Sequence, residues 1–158
     1  MEVKAFIGTS GWYYDWNKDK SLDWFIAHSG LDAVELNMSF YRFPSSDQVR
    51  SWAEKAETLH WAIKVHRAIT HSHKLNEEGF RTWERFSDAF DPLDPQVDFY
   101  LFQMPPKFSN FNRMAEFAEA TGLGERFALE LQRPSARRTP KRRTYSSTTT
   151  TRCSKTHA

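Results

Sequence analysis

The chain has 158 residues, 15% of them aromatic with six Trp and thirteen Phe, a composition for one globular domain and not for a body built from disorder. Its formal charge of +2 hides a split: residues 1–132 carry 14 Lys/Arg against all 20 Asp/Glu, a net of −6, whereas residues 133–158 carry 8 Lys/Arg and no acid. No apolar run nears the roughly 20 residues of a membrane span, no secretory-type stretch follows Met1, and the single cysteine, Cys153, excludes an intrachain disulfide or a Cys-based metal centre, so a cytoplasmic location without membrane contact is expected.

Phe6-Ile7-Gly8 reads as a first strand, and Thr9-Ser10-Gly11-Trp12 as the turn-rich segment after it. Ser21 is placed to cap a helix with Leu22, Phe25 and Ile26 on one face. Ala33 to Asn37 is the second strand. Beyond Pro44, Ser46 reads as the next cap, and Val49, Trp52, Ala53 and Ala56 follow the spacing of a buried helical stripe. Trp61 to Val65 is the third strand. A connection from Arg67 to about Asn76 leads to a helix carrying Phe80, Trp83, Phe86 and Phe90. Asp98 to Gln103 is the fourth strand, ended by Pro105-Pro106. Asn110 caps a helix using Phe111, Met114, Phe117 and Ala118, and Phe127 to Leu131 is the fifth strand.

Strand centres recur about every 30 residues, the βα period of an α/β fold with right-handed crossovers. Length alone leans to a doubly wound sheet. The strand ends lean the other way: Val34-Glu35-Leu36-Asn37, Ile63-Lys64-Val65-His66, Leu101-Phe102-Gln103 and Leu129-Glu130 each stop on polar side chains. Such positions line the C-terminal rim of a parallel barrel, where active sites sit. A complete barrel of eight strands takes about 250 residues. The fold class expected is therefore α/β, a partial TIM-type barrel of about five parallel strands over residues 1–132. Such a fragment leaves an open edge, and self-association through that edge is expected.

Residues 133–158 contain no Leu, Ile, Val, Met, Phe or Trp, and 11 of the 26 are Ser or Thr, so a disordered tail is expected. The abrupt change near Gln132 reads first as translation after a frameshift. The other readings are a simple disordered tail and a basic arm for nucleic acid acting through phosphate contacts.

Several residues are candidates for chemistry. Glu35 and Glu130, with His66 between them, suit three uses: holding a divalent metal, working as acid and base without metal, or neutralising Lys64 and Arg42 in an ion-pair network. Lys64 suits an anchor for phosphate or carboxylate better than a Schiff base, because neighbouring carboxylates favour its charged form. His66 is a candidate base or ligand. Thr9, Ser10 and Gly11 form a small polar loop whose amides can hold an anion, or only a turn. Trp12, Phe40 and Tyr41 can wall a sugar or base, or belong to the core. Asn37, Arg42 and Gln103 would position a substrate. No glycine-rich phosphate cradle follows the first strand, so no nucleotide cofactor is indicated. His73 reads as a loop residue.

Six stretches taken together resemble the DUF72 (YecE-like) family: Gly8-Thr9-Ser10-Gly11-Trp12, Val34-Glu35-Leu36-Asn37, Ser39-Phe40-Tyr41-Arg42, Trp52-Ala53, Lys64-Val65-His66-Arg67-Ala68-Ile69-Thr70-His71 and Leu101-Phe102-Gln103-Met104-Pro105-Pro106. Each is weak alone; six in order are specific, over residues 6 to about 131. The resemblance implies a barrel related to the TIM barrel, raises His71 among the candidates through its Thr70-His71 pair, and implies no particular activity. Where the family runs Glu-Phe-Arg-His-Pro-Ser-Trp, this chain reads Glu130-Leu131-Gln132-Arg133-Pro134-Ser135-Ala136. From the fold class and the polar mouth, a site for a small anionic or carbohydrate-like molecule is expected and, if the protein is an enzyme, a hydrolase, lyase or isomerase, with Glu35, Lys64, His66 and Glu130 carrying the chemistry. The alternatives are a non-catalytic module for a small ligand or nucleic acid, or an inactive fragment.

Overall fold

The computed structural model of the chain describes residues 5–131, and the segment 133–158, with Cys153, lies outside them. Five strands alternate with four helices: β1 (Gly8–Ser10), α1 (Leu22–His28), β2 (Ala33–Leu36), α2 (Ser46–Lys55), β3 (His60–Lys64), α3 (Glu77–Phe90), β4 (Val97–Met104), α4 (Phe111–Thr121) and β5 (Phe127–Leu131). The sheet runs β1-β2-β3-β4-β5, every neighbouring pair parallel. A doubly wound sheet reverses its strand order at a switch point, whereas sequential order is how a (β/α) barrel is built. The fold is a partial barrel, open at β1 and β5 among the described residues.

The period-2 alternation of the strands sorts two faces. Val34 and Leu36, Trp61 and Ile63, and Tyr100, Phe102 and Met104 point to the helices and are buried. They pack against Phe25 of α1, Val49 and Trp52 of α2, and Trp83, Phe86 and Phe90 of α3. Each such side chain taken fully out of water contributes roughly 1.5–3 kcal/mol, so this helix-side layer is what holds the strands in place. On the other face Ser10, Glu35, Ala62, Lys64, Leu101, Gln103 and Glu130 line the concave side.

Two boundaries differ from the sequence reading. The first strand is Gly8–Ser10, not Phe6–Gly8, because pairing with Ala33–Glu35 decides it. The Ile7 amide is drawn instead to Asp32 Oδ1 at 2.6 Å, and the turn begins only at Gly11, whose φ is +84°. Gly8 is required there: a Cβ would collide with the Ala33 carbonyl oxygen. The cap of α2 is Ser45, not Ser46. Gln48 stands three residues after Ser45, and the two close a reciprocal capping box. Ser21 and Asn110 cap α1 and α4 as read from the sequence, each accepting a backbone N–H.

Candidate functional site

At the C-terminal end of β2 the chain turns sharply through Met38–Phe40. The turn is held by Ser39, a buried hydroxyl whose Oγ lies 2.6 Å from the carbonyls of both Leu36 and Lys64. That anchor ties the ends of β2 and β3 together and sends the following residues to different sides. Met38 and Arg42 face one way, with Arg42 Nη2 3.0 Å from Met38 Sδ. There they join Ser10, Trp12, Asn37 and Trp52 around a cavity of about 500 Å³. Phe40 is buried, while Tyr41 stays exposed.

The end of β3 presents Lys64, His66, Arg67 and, after a π-helical turn over Ala68–Ser72, His71. Lys64 Nζ lies 5.5 Å from the centroid of the Phe40 ring, and the His71 ring meets the same ring edge-on at 5.2 Å. Burial, then the charges of Arg67 and Lys64, hold His71 below the usual histidine range. His66 is pushed down by burial and by Arg67, against a bond to the Tyr41 backbone that favours the charged form. Its Nδ1 accepts the Ala68 N–H at 3.2 Å, and Phe43 packs edge-on at 4.9 Å. The Ala68 N–H and the Phe43 ring together place His66 between the segment after β2 and the turn after β3.

The two carboxylates are held by neutral donors on adjacent strands. Ser10 Oγ donates to Glu35 Oε1 at 2.9 Å, and Gln103 Nε2 donates to Glu130 Oε2 at 2.7 Å. Three strand spacings, roughly 14 Å at the usual interval, separate the backbones of β2 and β5 before sheet curvature. Among the described residues no ion pair joins either carboxylate to Lys64 or Arg42. The ion-pair network considered for these four residues is therefore not formed. Likewise, no group of three His, Cys, Asp or Glu is gathered among the described residues as a metal site would require, so Glu35, His66 and Glu130 do not converge.

Thr9-Ser10-Gly11 is not an open loop of amides. Thr9 and Ser10 belong to β1, the Gly11 N–H donates to the Glu35 carbonyl at 2.8 Å, and Thr9 Oγ1 donates to the Gly11 carbonyl at 2.7 Å. Trp12 sets its ring edge-on to Trp52 and Trp61 while lining the cavity, so it serves core and pocket together.

Three features escaped the sequence reading. Gln48 lines the cavity although it looks like an ordinary helix residue. Arg67 sets the field around both histidines, and its place just past a polar strand end was the available signal. A second cavity, about 450 Å³, opens on the concave face from the N-terminal ends of the strands up to Ser10 and Glu35, so Glu35 lines this cavity and not the first. There Asp98, the extra residue of a bulge between β3 and β4, reaches His60 Nδ1 at 2.8 Å, and Phe6 stacks on the His60 ring at 3.9 Å. Bulge and register are long-range outcomes, and no local pattern announces them.

A model of the family described as "Protein of unknown function DUF72" matches residues 6–152. That span passes beyond residue 131 and includes much of the basic segment. Among solved structures, a DUF72 family protein from Enterococcus faecalis V583 is similar at 20% identity with a TM-score of 0.63, over 80% of this chain and 50% of that one. A second crystal structure of that protein gives 18% and 0.59. A DUF72 family protein from Thermotoga maritima MSB8 is 24% identical with a TM-score of 0.58, over 80% of this chain and 55% of that one. These likenesses show the fold. The chain spans about half the length of these relatives. No curated protein matches it.

Proposed function

Because the chain belongs to the DUF72 family, whose barrel fold gathers ligands at the C-terminal ends of the strands, we propose that this mouth binds a small anionic or carbohydrate-like molecule. The observation that carries the reading is the cavity of about 500 Å³ where Ser10, Trp12, Asn37 and Arg42, from two strand ends and the turns after them, meet. An indole wall suits the apolar face of a sugar ring. The Asn37 amide suits its hydroxyls. The Arg42 guanidinium suits a carboxylate or phosphate oxygen.

If the bound molecule is turned over, the reaction is of the hydrolase, lyase or isomerase kind, with the proton-handling group either Glu35, which lines the second cavity and meets this one through its bond to Ser10, or Glu130, which Gln103 orients. Lys64 anchors negative charge. His66 positions Phe43, whose ring packs on it, while its Nδ1 is engaged by the Ala68 N–H. The separate holding of the two carboxylates favours the second reading, a binding module without turnover.

The test is thermal unfolding of the full chain with gluconate, an anionic sugar acid. The expected result is a concentration-dependent rise in Tm that R42A removes, with the circular dichroism of R42A unchanged. No rise, or an equal rise in R42A, contradicts the proposal.

A further inference from the structure

Resting on that reading, we propose that the mouth also holds a phosphate subsite formed by Lys64, Arg67 and His71 beside the Phe40 ring, so that the ligand is a phosphorylated small molecule. Lys64 and His71 both approach one buried ring, at 5.5 and 5.2 Å from its centroid. Arg67 opens the turn that connects them in sequence. It stands on the same strand end and turn as Lys64, three residues after it and four before His71, and its charge, like that of Lys64, lowers His71. Among the described residues neither Lys64 nor Arg67 has a carboxylate partner.

Two positive charges on one strand end and its turn repel each other until an anion arrives. A phosphate monoester carries about −1.5 to −2 at pH 7, which matches two fixed cations, whereas a carboxylate matches one. The third group is oriented in advance. The buried Thr70 hydroxyl lies 2.9 Å from His71 Nδ1, which leaves Nε2 as the ring nitrogen without a partner among the described residues. Nε2 is then available to donate to a phosphate oxygen, and a bound dianion favours its protonation. Lys64 and Arg67 belong to the third strand end and its turn, while Arg42 belongs to the second. The phosphate and the sugar-like body of the ligand thus have separate receptors.

The experiment titrates the full chain with inorganic phosphate and follows the histidine ring resonances by NMR. The expected result is a saturable shift of the His71 ring while the His60 ring, at the opposite end of β3, stays in place. K64A and R67A should each weaken the titration at least about tenfold, the scale of one charge-assisted hydrogen bond, and K64R should restore most of it. Circular dichroism of each variant checks that it is folded. A His71 shift that persists in K64A and R67A, or no shift in the wild-type chain, overturns the inference. If phosphate fails while the Arg42-dependent response to gluconate remains, only the phosphate subsite falls; if both fail, the parent reading falls as well.

Discussion

His66 shows how a residue's chemistry depends on what its neighbours have already taken. From the sequence it is an imidazole at a strand end, a candidate base or metal ligand. In the fold its Nδ1 accepts the Ala68 N–H and the Phe43 ring packs edge-on against it. A protonated imidazole cannot accept that N–H, so the contact itself favours the neutral form. His66 and His71 both sit below the ordinary value of 6.5 in the folded chain. The unfolded chain therefore binds more protons than the folded one as the pH drops below that value. Stability from these two groups is full above about pH 6.5 and is lost as the pH falls through their lowered folded values. The doubly substituted H66Q/H71Q chain should show a flatter loss of stability between pH 6.5 and 5 in urea unfolding; an unchanged slope contradicts this account of the two rings.

At the scale of elements, the sequence was most legible where a local rule decides. The apolar alternation of Val34, Leu36, Trp61 and Ile63 set the strands, and Ser21 and Asn110 marked helix starts, since a cap needs only its own short side chain and the next turn. It was less legible where two neighbours satisfy one rule. Ser45 and Ser46 are both good caps, and only Gln48, three residues beyond Ser45, separates them. S45A should cost about 1 kcal/mol in denaturant unfolding, the usual value of a cap, and S46A a few tenths at most. Equal costs would contradict the assigned box. The site was least legible where it depends on register. That Gln103 meets Glu130, or that Asp98 bulges toward His60, follows from pairing across strands. Gln103 and Glu130 are 27 residues apart, and no local pattern links them.

For the whole molecule, the order β1-β2-β3-β4-β5 leaves two strand edges without a neighbour among the described residues. Ile7 beside β1 and Leu131 at the end of β5 are both more than half exposed there. Unpaired backbone groups flanked by apolar side chains are a template for pairing with another strand. Self-association of the chain is the expected outcome, visible as a molar mass that rises with concentration in light scattering. A constant monomer mass across a hundredfold range of concentration contradicts it.

Which end of the barrel binds is the most direct question, because the chain offers a cavity at each. The decisive measurement is an NMR titration of the full chain with glucose 6-phosphate, reading the Trp12 indole at the C-terminal mouth and the His60 ring near the N-terminal ends of the strands. Binding at the mouth predicts a saturable movement of Trp12, joined by His71, with His60 unmoved. Movement of His60 without Trp12, or movement of neither, would contradict the account.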